Sequence, residues 1–504
     1  MNIQELCDLK ISKDYKRLGK LFYTSKSEYL YDTGTGKVTK LDQDSQKLLE
    51  SLFDDRISYQ EFLHVLSKTA DIDKITKFFE EEHLLSNPSD LNFIPLEDTY
   101  SVDNIKCMQL IIELTGNCNL RCKYCIYNDF YEGNRNFNTS NIDFETAQKA
   151  IDYVFAHRDP EHLAITFYGG EPLLNFPVMK RCIDYCLEKY ESENVSFSFT
   201  TNLTLMTEEI AEYLAKIPRL SIMISIDGPE EIHNAARVNR ERKGSFKDAF
   251  SGLKILSNAI RKYKNTNLLF SVVLMPPYTS ERFDKINDFF ESLDFLPEGT
   301  TVRATYPTPG TISTAYLDDM ELQGFDLREE VRWSDWAREK AKSKNFDGVN
   351  RNLYSEVLID SLVSIHNRIL RDKPVNVICL NGCCIPGHRR LYVCTDGTYK
   401  VCERVGSVPA IGHVDTGIDI ESVRKYYLIE FERRSLPECS KCWAVNMCDI
   451  CYAHCYNEKG LDISKKNGIC ASTKARLVAW LQYYHELLES HPERIEEIAK
   501  MELL

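Results

Sequence analysis

The sequence predicts an α/β protein in which six strand–helix repeats build a parallel sheet, open or barrel-like, with helices outside. Three observations carry this. From about residue 105 to 310, apolar β-rich runs alternate with helical patterns. Ahead of them lies a small unit in which strands come first and helices follow. Behind them, eleven of the 18 cysteines crowd into residues 379–470.

The totals narrow the classes of function. The chain has 504 residues, 43% hydrophobic and 27% charged, as in ordinary globular proteins. A net charge of −14 argues against a nucleic-acid groove. No run approaches the ~20 apolar residues of a membrane helix, and "MNIQELCDLKISKDYKRLGK" lacks the apolar block of a secretory signal. The expectation is a cytoplasmic protein with neither nucleic acid nor membrane as partner. In a reducing cytoplasm the cysteines are not disulfide staples.

Residues 1–95 read as a unit of their own. "KLFYTS" and "EYLYDT" have strand composition, and "TGTG" turns into "KVTKL". Helical patterns follow in "DSQKLLESLF", in "SYQEFLHVLSK", where Ser58 and Glu61 have capping-box spacing, and in "DIDKITKFFEEEHLL". The last pattern puts Ile75, Phe78, Phe79 and Leu85 on one apolar stripe. The whole resembles a winged helix whose strand edge is open to an added peptide strand.

In the central part, strands are predicted over 108–114, 163–168, 195–200, 220–226, 268–274 and 301–306. Helical patterns such as "DFETAQKAIDYVFAH" and "TEEIAEYLAKI" lie between them. "VMKRCIDYCLEKY" sets Cys182 and Cys186 at helical spacing, as small buried hydrophobes; Cys7 and Cys107 read as inert. Residues 311–375 read as a helical bridge. The cysteine-dense part, 376–475, contains short strands in "RRLYVC" and "TYKVC", and a final helix is expected from about 472 to 490, within a terminal segment 476–504.

Several motifs fall at the C-terminal ends of the predicted strands, where such folds keep their chemistry. "ELTGNCNLRCKYC" gathers Cys118, Cys122 and Cys125 after the first strand; "GGEP" (169–172), "TNLT" (201–204) and "DGP" (227–229) follow the next three. Three thiolates can ligate three irons of a four-iron cluster and leave the fourth open. Structural zinc takes four ligands, and no fourth Cys or His lies close by.

"CNLRCKYC" resembles the signature of radical S-adenosylmethionine (SAM) enzymes. The resemblance implies a partial (β/α)6 barrel whose cluster binds SAM through its open iron and, on receiving one electron, cleaves it to a 5′-deoxyadenosyl radical. It also implies roles for particular residues. Tyr124 would rest against the adenine. Gly169, Gly170 and Glu171 would receive the SAM amino group. Thr201, Asn202, Ser225 and Asp227 would contact the ribose and carboxylate. In "IHNAAR", Asn234 stands where the family usually has Asp after His233, so Arg237 is the firmer assignment.

The second cysteine field, with "CIPGHRRLYVCTDGTYKVC" and "CSKCWAVNMCDICYAHC", resembles the SPASM extension of that family. Taken alone it could be a zinc ribbon; as SPASM it implies two auxiliary clusters, for three [4Fe-4S] clusters in all. Cys439, Cys442, Cys448 and Cys470 would hold the outer one. Cys384 and Cys402 would hold the inner one, with Cys379 or Cys383 and one of Cys451 or Cys455. Tyr452 stands where the family has a cysteine, which leaves the fourth inner ligand open. Glu403, directly after Cys402, matches the place of an acidic base in relatives that oxidise a side chain.

The combination resembles maturases of ribosomally made peptides. It implies a leader-binding unit (1–95), a radical SAM core (105–310), a precursor peptide with a cysteine-containing core as partner, and an electron donor such as flavodoxin or ferredoxin. Thioether cross-links of the sactipeptide type are the expected product. Formylglycine formation of the anaerobic sulfatase-maturase type, or another peptide cross-link, is the alternative.

Overall fold

In the computed structural model the described residues are 2–128, 136–159, 161, 163–190, 194–263, 266–308, 310–322, 332–343, 352–378 and 382–499. The sequence places three strands and three helices in the first unit, and they are found there. Strands β1 (Gly19–Tyr23), β2 (Glu28–Asp32) and β3 (Val38–Lys40) form an antiparallel sheet with β2 in the middle. Helices Gln43–Phe53, Tyr59–Lys68 and Ile72–Glu81 follow. Ser58 and Glu61 close a reciprocal capping box at the second of these. A helix over Ile3–Ser12, opened by an Asn2–Glu5 capping box, was not anticipated.

One sequence expectation fails here. Ile75, Phe79 and Leu85 are buried, but Phe78 is 41% exposed. Adjacent residues on a helix lie about 100° apart, so Phe78 and Phe79 cannot share a narrow stripe. The core of the unit closes on Phe79 together with Leu48, Leu52 and Phe62.

The unit is fastened to the far end of the chain. Phe22 and Tyr29 pack on His485, with ring centroids 5.2 and 4.9 Å away, and Tyr29 Oη donates to Glu489 at 2.8 Å. Across the open side of β1 runs a groove of about 970 Å3, lined by Leu21, Tyr23, Glu50, His64 and Val65 among others. Leu18 and Thr24 bond to the β2 side. The alternation of an antiparallel ladder therefore turns the backbone of Leu21 and Tyr23 towards the open edge.

The centre is a run of six parallel strands in sequential order: β4 (Gln109–Thr115), β5 (Leu163–Gly169), β6 (Val195–Thr201), β7 (Leu220–Ile224), β8 (Thr266–Val273) and β9 (Thr301–Thr305). Helices capped by Asp143, Thr207 and Thr279 cover it. Cys182 and Cys186 are buried in the Phe176–Lys189 helix. The sheet does not stop at β4. Strand β10 (Leu391–Val393) pairs parallel with it, Leu391 facing Leu110. The short strands β11 (Thr398–Lys400), β12 (Gly412–His413) and β13 (Gly417–Ile418) then extend the edge antiparallel. The cysteine-dense segment is thus an extension of the central sheet.

Helices Thr314–Leu322, Trp333–Ser343 and Ser355–His366 occupy the bridge. The last long helix runs over Ile463–Ser490, beginning well before residue 472 because the Asp462 side chain caps it by accepting from Ser464 N and Lys465 N. It carries Cys470 and passes through the expected boundary at 475/476. Among the described residues no helix is long and apolar enough to cross a membrane.

Glu28 is 5% exposed, and its carboxyl lies beside the Tyr23 hydroxyl and the Glu50 carboxyl. Burial pushes its carboxyl from the ordinary 4.5 up to about 7. A carboxyl whose folded pKa lies above its unfolded one makes stability fall as pH rises between those values. Glu28→Gln should remove this contribution between pH 4.5 and 7. It should raise stability at pH 8 by on the order of 1 kcal/mol, because the amide carries no charge to desolvate there. Urea unfolding midpoints at pH 5 and 8 check this: an unchanged difference between the two contradicts it.

Candidate active site

Each expected motif begins where a strand ends. After β4 the chain bends into the segment carrying Cys118, Cys122 and Cys125. β5 ends on Gly169, β6 on Thr201, and the turn after β7 carries Ser225 and Asp227. The loops meet around a cavity of about 250 Å3. It is lined by all three thiols, Tyr124, Gly169, Gly170, Glu171, Thr201, Asn202, Ser225 and Arg237. From the sequence-predicted SAM-binding set, Asp227 alone is absent from the wall.

The tightest constraint is backbone against backbone. Gly170 N donates to Thr115 O at 2.8 Å and Glu171 N to Asn117 O at 2.9 Å. A Cβ on Gly169, whose φ is +133°, would meet Thr115 O at 2.3 Å; one on Gly170 would meet Asn117 O at 2.0 Å. No side chain fits where the glycine pair presses on the cysteine loop. The β4–β5 register shifts between Glu113 and Thr115, a local irregularity that bends the strand end into this contact.

Glu171 is 1% exposed and its carboxylate is bound to the next strand end. It accepts from Thr201 Oγ1 at 2.8 Å, Asn202 N at 2.8 Å and Leu173 N at 3.1 Å. Burial pushes it up to about 7 despite these donors. Asn202 in turn donates to Asn119 Oδ1 at 3.0 Å within the cysteine loop. Three strand ends are locked together through one carboxylate and one amide.

Asp227 lies behind the wall. It accepts from Arg237 Nε at 2.9 Å and Nη2 at 3.2 Å, from Tyr124 Oη at 2.6 Å and from Val273 N at 3.0 Å. These four donors occupy both carboxylate oxygens. Asp227 therefore holds Tyr124 and Arg237 rather than facing the cavity. His233, which its neighbour Ser245 meets at 3.0 Å through Nε2, is fully buried; burial lowers it to about 4, so it is neutral at physiological pH.

The donor set suits an iron–sulfur cluster. Burial pushes all three thiols up, Cys118 to about 12, so the sulfurs become thiolates when metal displaces their protons. Donors already face them: Leu120 N lies 3.4 Å from Cys118 Sγ and Arg237 Nη1 3.9 Å from Cys122 Sγ. Among the described residues no three His, Cys, Asp or Glu side chains could hold one metal ion together. The three thiols are spread around one cavity instead.

Residues 112–290 match the model of the radical SAM superfamily. That stretch of the chain is similar to a radical SAM domain. Such a domain takes SAM and a four-iron cluster as cofactors. The chain is 34% identical over 192 residues to an uncharacterized protein of Methanocaldococcus jannaschii, covering 38% of this chain and 59% of that one. It is 30% identical over 195 residues to a cysteine-type anaerobic sulfatase-maturating enzyme of Clostridium novyi, covering 38% and 50%. It is 26% identical over 326 residues to the radical SAM cyclopropyl synthase TigE of Paramaledivibacter caminithermalis, covering 60% and 64%. The chain thus spans between half and two thirds of these relatives. It is related to sulfatase-maturing and other radical SAM enzymes.

In the second cysteine field, Cys439 lies near Cys470, Cys442 near both of these, and Cys448 near Cys439 and Cys442. Cys383 lies near Cys384, Cys451 and Cys455, and Cys402 near Cys451; Cys448 adjoins this set too, through Cys383 and Cys455. Cys379 lies outside the described residues. Glu403 is away from the cavity wall, paired with Arg390 Nη1 at 3.2 Å.

Sequence reasoning missed the far wall, formed by Val273 and Thr305, the last residues of β8 and β9, and by Tyr306, Pro307 and Thr308. No motif marks those ends; only the strand order places them beside the cavity. It also assigned Asp227 to ligand contact, because the one-dimensional pattern cannot tell a residue at the wall from one bracing it.

Asp227→Ala should destabilise the protein by about 3–5 kcal/mol, because it leaves the Arg237 guanidinium buried without its counter-charge. Asp227→Ala/Arg237→Met should recover part of that loss. Chemical unfolding of the three proteins measures it; equal midpoints for wild type and Asp227→Ala contradict the bracing role.

Proposed function

We propose that this protein modifies a ribosomally made peptide, joining cysteine sulfur to carbon in thioether links of the sactipeptide type. The observation that carries the reading is the single cavity that brings together three thiols, the glycine pair and Arg237, with a large groove on a separate unit of the chain. When bound, SAM and its cluster supply a 5′-deoxyadenosyl radical that removes a hydrogen atom from the peptide.

The protein's own groups bind, orient and shield. Cys118, Cys122 and Cys125 hold the cluster. Gly169 and Gly170 let the backbone approach the SAM amino group, Thr201, Asn202 and Ser225 offer polar atoms, and Arg237 offers a cation. Tyr124, pinned through its hydroxyl to Asp227, keeps a flat ring at the wall. Residues 376–475 act as a SPASM domain: the outer cysteines hold one auxiliary cluster, and Cys384, Cys402 and neighbours hold the inner one. Glu403 Oε2 takes the thiol proton, with Arg390 keeping the carboxylate in place. Each link removes two electrons and two protons from the peptide: one of each leaves as the hydrogen atom taken by the radical, the thiol proton goes to Glu403, and the second electron would go to an auxiliary cluster.

Residues 1–95 serve as a winged-helix-like leader-recognition unit. The peptide adds as a strand along β1, over Leu21 and Tyr23, with side chains in the groove beside His64 and Val65. The long tether this creates raises the local concentration of the peptide core at the cavity. An external flavodoxin or ferredoxin supplies the electron.

The similarity to a sulfatase-maturating enzyme favours a second reading, oxidation of a cysteine to formylglycine. Mass spectrometry separates them: a thioether keeps the sulfur and costs two hydrogens, whereas formylglycine loses the sulfur.

Anaerobic protein given dithionite and SAM should release 5′-deoxyadenosine; the variant with Cys118, Cys122 and Cys125 all changed to Ala should release none. Absence of 5′-deoxyadenosine from the wild type contradicts radical chemistry. Val65→Glu should weaken binding of a cysteine-containing precursor at least about tenfold, or about 1.4 kcal/mol, while leaving SAM cleavage without peptide unchanged. Fluorescence anisotropy with labelled precursor measures the first; unaltered affinity contradicts peptide binding at the β1 groove.

A further inference from the structure

Lys466 stands in the first turn of the Ile463–Ser490 helix and is 2% exposed. Its Nζ lies 3.2 Å from Cys439 Sγ, and among the described residues no carboxylate forms an ion pair with it. Its Nζ is 5.9 Å from the centre of the Phe431 ring, and Cys470 Sγ donates to the Lys466 carbonyl at 3.4 Å. Burying an ammonium without an anion is costly, and such groups persist where they are paired. The groups at hand that can become anionic are thiols: Cys439 in contact, and Cys448, Cys455 and Cys470 nearby. Thiols are neutral until metal displaces their protons.

We propose that Lys466 is the built-in counter-charge of the outer auxiliary centre, a positioning residue that makes it easier to reduce than the inner one. This rests on the reading that those four cysteines hold a four-iron cluster. Four thiolates on an oxidised cluster core form a dianion. One-electron reduction, by the substrate in turnover or by dithionite in a titration, makes it a trianion. A fixed cation in contact with one sulfur stabilises the more negative state. At the inner set Arg390, near Cys402, is offset by Glu403 at 3.2 Å, and Lys466, which also acts on Cys455, makes its direct sulfur contact with Cys439. The asymmetry gives electron flow a direction.

The test compares wild type, Lys466→Met and Lys466→Arg in a background where Cys118, Cys122 and Cys125 are Ala, so that auxiliary centres alone remain. Iron and labile sulfide are counted, and an EPR-monitored dithionite titration gives the potentials. In Lys466→Met one of the two centres should move to a more negative potential while the other stays. Lys466→Arg, which keeps the charge, should titrate like wild type. Loss of one cluster's iron in Lys466→Met, with retention in Lys466→Arg, supports the same role. Unchanged potentials in a fully loaded Lys466→Met overturn it, as does equal iron loss in both variants, which would mark a purely structural lysine. Wild type that holds no auxiliary iron sinks the cluster reading instead, and does so before either variant is measured.

Discussion

The contact on which the rest of the site depends is the pressing of the Gly169–Gly170 turn onto the Thr115–Cys118 segment. Two backbone hydrogen bonds hold it, from Gly170 and Glu171 to the carbonyls of Thr115 and Asn117. The contact is too close for any Cβ. It fixes the cysteine loop against the end of the second parallel strand, and Glu171 then carries the fixation to the third through Thr201 and Asn202. A loop with three thiols is floppy by itself; here its position is set by the sheet, through main-chain atoms that a side-chain substitution elsewhere cannot easily shift.

The same logic separates the residues that face the cavity from those that brace it. Arg237 and Tyr124 line the wall, and both are held by Asp227. A buried ion pair of this kind contributes little net stability against apolar replacements, yet breaking it is expensive. Its value lies in geometry: a guanidinium beside Cys122 and a ring beside it keep one orientation because a single carboxylate accepts from both. Cations stand beside cysteine sulfur at both places, Arg237 at the first trio and Lys466 at the outer set.

Much of the fold was legible from sequence because its signals are local. The six parallel strands announce themselves as apolar β-rich runs, and the capping pair Ser58 and Glu61 marks a helix start to the residue. Eleven of the twelve predicted SAM- and cluster-binding positions in the core line one cavity, because order along successive strand ends encodes neighbourhood in a parallel sheet. Non-local features were not legible. The pairing of Leu391–Val393 onto the first core strand joins residues nearly three hundred apart and has no sequence mark. The Ile463–Ser490 helix was read as starting late because Gly468 and Cys470 mask its first turns. Phe78 was assigned to a core that has room for Phe79 alone.

The central claim is that three thiols, fixed by the glycine contact, hold a four-iron cluster with one iron left for SAM. Mössbauer spectroscopy of protein reconstituted anaerobically with enriched iron, before and after adding SAM, tests it most directly. The account predicts that SAM alters the signal of one iron in a single cluster, and that this response vanishes when the three cysteines become alanine. Spectra indifferent to SAM, or zinc in place of iron at that loop, would contradict it.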